Sequence, residues 1–343
     1  LNLVVGLNAS GKTNLCEALY YASRGQLLKG ERQRELIRWE CGWSLLALEV
    51  GDTQIRIVLN GQTPGKTLEL NGQTVRQRDL FEVYKVLIFT PDDLQVIKGS
   101  PVKRRHLLDR SIADLDPVYR HTLLTYERVV RRKNALLRRD RLDQDLLAVY
   151  NQKLAQEGAL LIESRLSYLK DLNRYLGPLH QDLNQDGKWL RLQYDSEVEF
   201  DKSVEADLQA ALQAALRRER DRGVSLVGPH RDDLQFDQEG VELRRFGSQG
   251  QQKTALIALK LAQLILFKER LHEYPILILD DVLSELDPQR TQLLLDHLPQ
   301  DLQLFLTETD LSEPLARREG KVFRIQKGRV CELNEDERCN FQS

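Results

Sequence analysis

Apolar positions along the chain follow two rhythms, and the places where one gives way to the other divide it. Residues 1–5 form an uninterrupted apolar-rich run ending at Gly6, which predicts a short strand buried on both faces. Helical periodicity follows over 14–21. Between 43 and 90 the pattern turns to β-rich stretches at 45–50, 53–59, 67–70 and 86–89, punctuated by Gly51-Asp52, Asn60-Gly61 and Asn71-Gly72. The first and last of these dipeptides are hairpin signals. Past Pro101 the spacing becomes helical, over 146–176 and again over 204–222, where Val204, Leu208, Leu212 and Leu216 fall four apart on one face. Short β-like segments return at 224–227, 234–236 and 241–243, and a helix covers 251–269. Residues 276–279 and 302–306 then read as buried strands joined by a helical crossover, the grammar of a sheet with helices on its faces.

This order predicts an α/β P-loop NTPase head built from both ends of the chain, residues 1–102 and 223–343, with an inserted helical domain at 103–222. No internal repeat is evident. The chain opens inside an apolar run and contains no methionine, so we expect the native N-terminus, and at least one neighbouring strand, to lie outside the sequence.

Composition narrows the class. With 343 residues, 41% hydrophobic and 30% charged, a sizeable core is assured and disorder is not expected. Fifty Lys and Arg against 52 Asp and Glu leave a net charge of −2, so any nucleic-acid binding must rest on a local patch. One candidate is 103–141, with twelve Lys and Arg against five Asp and Glu. Within it Arg128, Arg131, Arg132, Lys133, Arg138, Arg139 and Arg141 are spaced so that several share a helix face. They form either a phosphate-neutralising face or a solvated helix balanced by Asp140, Asp143 and Asp145. Cys16, Cys41, Cys331 and Cys339 lack the spacing of a disulfide framework or a zinc site, which fits a reducing, cytoplasmic setting. No apolar run reaches the length of a membrane-spanning helix.

The chemistry concentrates in a few motifs. Gly6-Leu7-Asn8-Ala9-Ser10-Gly11-Lys12-Thr13 matches G-x-x-x-x-G-K-[ST] at every fixed position and sits between a predicted strand and a predicted helix that includes Asn14. The glycines let backbone N–H groups face an anion at a helix N-terminus. Lys12 is expected to reach the β- and γ-phosphates of ATP and Thr13 to ligate Mg²⁺. The apolar run 276–279 ends in Asp280 and Asp281. Asp280 is the expected Mg²⁺ partner and Asp281 the group that orients or deprotonates the attacking water. The alternative is a pair of solvated acids at a strand end.

Phe246-Gly247-Ser248-Gln249-Gly250-Gln251-Gln252 precedes that strand, and Ser284-Glu285-Leu286-Asp287 follows it. With the phosphate loop, these segments resemble the head domain of ABC-type ATPases of the SMC/Rad50 class. The stretches 89–94, 98–101 with Arg104-Arg105, and 228–234 are similar to motifs of the bacterial recombination mediators of that class, and the likeness runs along essentially the whole chain.

The resemblance implies an ATP-dependent homodimer in which Ser248, Gln249, Gly250 and Gln251 of one subunit meet the γ-phosphate held by the other. Taken alone, such a segment is more often a capped helix, with Ser248 as the cap. The resemblance also implies structure-selective binding of gapped or single-strand/double-strand junction DNA, slow hydrolysis used as a switch, and assistance to RecA loading with RecO and RecR. Two departures stand out. Asp281 occupies the place of the Glu common in ABC ATPases, and 305–310 carries no histidine where many such heads place a switch residue. No Gln precedes Pro91, which leaves Asp92 or Asp93 as a substitute contact or as a structural turn. His230 reads as catalytic or as structural, and Arg231 as a contact to nucleotide or to a second subunit. A transporter-type ATPase subunit is disfavoured by the 235 positions between Thr13 and Ser248. A scaffold that never turns ATP over is the remaining alternative.

Overall fold

The computed structural model describes the chain except for residues 29–32, 62–64, 185–186, 202, 311–318 and 334–343, a segment that includes Cys339. The described residues form two compact units, one from Leu1–Pro91 with Glu273–Ser343, the other from Asp92–His272.

The first unit is built on a six-stranded sheet. Its order is Arg329–Glu332, Lys321–Gln326, Asn2–Val5, Leu304–Glu308, Ile276–Asp280 and Val86–Phe89. All neighbours are parallel except the antiparallel hairpin of the first two. Val4, Val5, Phe89, Ile278 and Leu306 are fully buried, which is why these strands read as continuous apolar runs and not as alternations. One interposed strand, Leu304–Glu308, separates the phosphate-loop strand from the strand ending in Asp280, with Val5 opposite Glu308 and Asp280 opposite Thr307.

A four-stranded antiparallel sheet, Trp43–Val50, Thr53–Asn60, Lys66–Leu70 and Gln73–Thr74, alternates as a half-exposed sheet should. Ile55, Ile57, Leu59 and Leu68 point inward onto Cys16, Tyr20 and Tyr21 of the helix Lys12–Arg24. Its last hairpin turns at Asn71 and Gly72, both at positive φ (48° and 77°), as a two-residue turn between right-twisted strands requires.

The second unit is mainly helical. Its 40-residue helix Gln144–Leu183 packs against Pro117–Leu137, Val204–Arg222 and Gln249–Leu271. A three-stranded sheet of Leu190–Asp195, Asp233–Gln238 and Val241–Glu242 completes it. Among the described residues no helix is long and apolar enough to cross a membrane.

Two sequence expectations change here. The unit boundaries fall at 91/92 and 272/273, not at 102/103 and 222/223. Gln249–Leu271 buries its apolar face on the long helix, and Lys260 from it pairs with Asp93 at 3.3 Å. Residues 224–227 are not a strand. Their backbone is claimed by side chains: Ser225 N–H donates to Asn134 Oδ1 (2.6 Å), Leu226 N–H to Glu219 Oε1 (2.8 Å), and the Ser225 carbonyl accepts from Arg231.

Candidate nucleotide-binding site

The phosphate loop hangs between the strand Asn2–Val5 and the helix Lys12–Arg24. A Cβ on Gly6 would lie 2.5 Å from the Ile325 carbonyl oxygen and 2.7 Å from Ser10 Oγ, so no side chain fits there. Gly11 stands at φ 110°, where a side chain would strain the turn into the helix.

That helix has no side-chain cap and no acidic residue in its first turn. Asp116, Asp143, Ser203, Ser248 and Asp287, by contrast, all cap the helices that follow them. The donors at the start of Lys12–Arg24 are thus left for an external anion, and the dipole favours it. Lys12, 6% exposed, folds back over the loop and donates to Gly6 O (2.6 Å) and Leu7 O (3.3 Å). Leu7, Asn8 and Ala9 are exposed on the loop's outer edge, and Asn14 is exposed one residue past Thr13. A cleft of about 770 Å³ opens on Gly6–Ser10, walled by Arg324, Gln326 and Lys327.

Thr13 Oγ1 donates to Asp280 Oδ1 at 3.4 Å, joining the loop to the neighbouring acid. Thr307 sets both acids. Its hydroxyl donates to Asp280 Oδ1 at 2.9 Å and accepts from the Asp281 N–H at 2.8 Å. Asp281 sits in the left-handed region at φ 53°, and its Oδ1 is buried without a hydrogen-bond partner. Strain of this kind persists only where surrounding bonds hold it. Cys16, one turn beyond Thr13, is buried beside Asp280; burial and then that carboxylate push its thiol upward, so it offers no thiolate at neutral pH.

Thr307 and Glu308 stand beside the paired acids, and sequence reasoning left both without a role. The only signal for them was the missing histidine in 305–310. Burial, then the charge of Asp281, raises the Glu308 carboxyl to about 7.

The remaining motif residues belong to the second unit. Ser248 is exposed and caps the helix Gln249–Leu271 in a reciprocal box: its Oγ accepts from Gln251 N–H (3.2 Å), and Gln251 Oε1 accepts from Ser248 N–H (2.8 Å). Gln249 is exposed and Gly250 half-buried beside it. Asp93 is buried between Lys260 and Arg110, at 3.3 and 3.6 Å, which gives it a structural occupation. Asp92 is exposed, and its carbonyl accepts from Gln95 N–H.

Of the basic residues expected to share a face, Lys133 is fully buried against Glu219 at 2.6 Å and leaves that set. Burial forces such a charge to find a partner. Arg128, Arg131 and Arg132 remain exposed on the helix Pro117–Leu137, and Arg138, Arg139 and Arg141 are exposed past its end.

His230 takes the structural role. Its Nδ1 accepts from Tyr126 Oη (2.7 Å) and its Nε2 donates toward Ser225 O (3.3 Å), a tautomer set by these partners. Burial pushes its pKa down to about 3 from 6.5. The unfolded chain therefore binds the extra proton, and stability contributed by neutral His230 is complete above pH 6.5 and declines as pH falls toward 3. The slope is about 1.4 kcal/mol per pH unit, or roughly 2 kcal/mol between pH 6.5 and 5. Urea titrations of the native chain and of His230→Asn across that window should differ by about this slope. Parallel lines would show that His230 does not titrate on unfolding.

A glycine loop on a buried strand, with a carboxylate strand across one interposed strand, defines a P-loop ATPase head. The family model for the RecF/RecN/SMC N terminal domain matches residues 1–327. The chain is 33% identical over 342 residues to the DNA replication and repair protein RecF of Clostridium acetobutylicum, covering 97% of this chain and 93% of that protein. It is 35% identical over 348 residues to the Bacillus pumilus protein of the same name, covering 96% and 93%. A solved structure of the recombination mediator protein RecF with ATP superposes with a TM-score of 0.86 at 30% identity, over 97% of this chain and 91% of that one. The Smc head domain of Pyrococcus furiosus, at 15% identity and a TM-score of 0.54 over 99% and 92%, shares the fold. The chain belongs to the RecF family of DNA replication and repair proteins.

Proposed function

We propose that this protein is an ATP-dependent DNA-binding switch of recombinational repair and replication. ATP closes a homodimer on gapped or junction DNA, and slow hydrolysis releases it. The observation that carries this reading is the phosphate loop tied through Thr13, Asp280 and Thr307 to the strained Asp281. Membership of the RecF family supports the DNA side, and a relative solved with ATP supports the nucleotide side. RecO and RecR, in the service of RecA loading, are the partners this reading brings. Exposed Arg128, Arg131 and Arg132 on the helix Pro117–Leu137 are its DNA face. Such a face neutralises phosphates without reading bases, so affinity falls steeply with salt.

The site residues take these roles within that reading. Backbone donors of Gly6–Thr13 hold the phosphates, and Lys12 adds a point charge. Thr13 and Asp280 present only oxygen to a cation, a set that fits Mg²⁺ completed by phosphate and water oxygens. Mg²⁺ there would neutralise phosphate charge. Asp281 accepts the proton of the attacking water.

Asp281→Asn keeps the shape of the side chain and removes the base. Hydrolysis should fall ~10²–10⁴-fold while ATP binding persists, so that the dimer stays on gapped duplex. Phosphate release and gapped-duplex retention, measured with ATP and with a non-hydrolysable analogue, decide it. If the native chain holds gapped duplex equally with ATP, with ADP and with no nucleotide, the switch reading fails.

A further inference from the structure

Glu308 ends the strand between the phosphate loop and the carboxylate strand, one residue past the Thr307 that fixes Asp280 and Asp281. Its carbonyl accepts from Gly6 N–H at 3.2 Å, which pins the residue at the mouth of the loop. Its carboxyl lies within the fields of Asp281 and Lys12.

Two oxygens in this small space, Glu308 Oε1 and Asp281 Oδ1, are buried with no hydrogen-bond partner. Lys12 does not supply one, because its ammonium is turned to the carbonyls of Gly6 and Leu7. Buried polar oxygens are rarely left unpaired, and a pair of them flanking a phosphate loop marks a place for groups that arrive with the substrate. Those groups must differ. Asp281 can serve an attacking water, an O–H donor. The nearest remaining substrate atoms are the oxygens of the γ-phosphate, which only accept. A carboxylate anion would repel them; a carboxylic acid, whose O–H donates, would not. Burial and the neighbouring Asp281 hold the Glu308 proton to about pH 7, against the opposing pull of the Thr309 backbone N–H and of Lys12.

We propose that Glu308 is a further catalytic residue for ATP hydrolysis, its carboxylic O–H donating a hydrogen bond to a γ-phosphate oxygen. The proposal rests on Asp281 as the base. The water oxygen bonds to the γ-phosphorus and its proton passes to Asp281. The bond from that phosphorus to the bridging oxygen breaks, and its electron pair stays on ADP. Glu308 keeps its proton throughout and stabilises charge spread over the transferring group, the service an oxyanion donor gives in a water-poor site.

The test compares two substitutions in the full chain, assayed with MgATP and gapped duplex. Glu308→Gln retains a neutral donor of the same length, and Glu308→Ala removes it. The expected result is a split: Glu308→Ala lowers kcat ~10²–10³-fold with KM for ATP changed less than about threefold, and Glu308→Gln restores kcat to within about threefold of the native value. Equal losses in both variants would mean that a carboxylate, not a donor, is needed, and would overturn the proposal. So would native rates in both, or a loss confined to ATP affinity. Asp281→Asn, run alongside, separates the two layers: if it hydrolyses normally the base assignment fails whatever Glu308 does.

Discussion

Lys12→Ala should abolish ATP binding at micromolar nucleotide and, with it, ATP-driven dimerisation and retention on DNA. Lys12 is almost fully buried, and its ammonium is held over the loop by two carbonyls, so its position is set before nucleotide arrives. A positioned charge facing phosphates is worth more than the same charge on a mobile surface side chain, because its ordering entropy is already spent. Truncating one partner of such a buried pair costs about 2–5 kcal/mol, which corresponds to a fall in affinity of roughly 30-fold to several thousand-fold. The strand and helix flanking the loop have their own core through Val4, Val5, Cys16 and Tyr20, so the variant should fold. Equilibrium titration with a fluorescent ATP analogue, with thermal melting as the folding control, measures the effect. Unchanged affinity in a folded variant would remove the phosphate-loop assignment and everything built on it.

The site was legible in sequence where chemistry demands contiguous residues, and illegible where it is assembled by strand order. The glycine loop and the pair Asp280-Asp281 each sit on one strand end, and their spacing is local. Thr307 is not local to either. Only the insertion of Leu304–Glu308 between the other two strands brings its hydroxyl to Asp280 and to the backbone of Asp281. The strand Lys321–Gln326 escaped for another reason. Its buried residues Val322 and Ile325 fall three apart, a helical spacing, although the segment pairs in parallel with Asn2–Val5. Residues 224–227 failed the opposite way, since β-like composition was overridden by side chains that captured the backbone. Lys133 shows the limit of counting charge: one of the twelve positive charges of 103–141 is spent internally on Glu219.

Ser248→Arg should separate nucleotide binding from nucleotide sensing. The phosphate loop, Asp280 and Asp281 lie in one unit of the chain and Ser248 in the other, and Ser248 caps a helix with only its oxygen lone pair. Its hydroxyl proton remains to donate, as a hydroxyl can do both at once. Our reading gives that proton, with the N–H groups after it, to the γ-phosphate held by a second subunit. A bulky arginine there should leave ATP affinity within a few-fold of native yet prevent ATP-driven dimers, and hydrolysis and ATP-dependent DNA retention should be lost together, since both need the composite site. Loss of the cap alone costs about 1 kcal/mol, too little to unfold a 23-residue helix with a buried face. Ser248→Asp makes the control sharper. It caps the helix as well as serine does but sets a negative charge against the phosphate, so it should also block dimers. Sedimentation with and without ATP, paired with nucleotide titration, reads both variants. Dimers as robust as native in both would leave Ser248 a helix cap and nothing more, and the paired-site reading would fall with it.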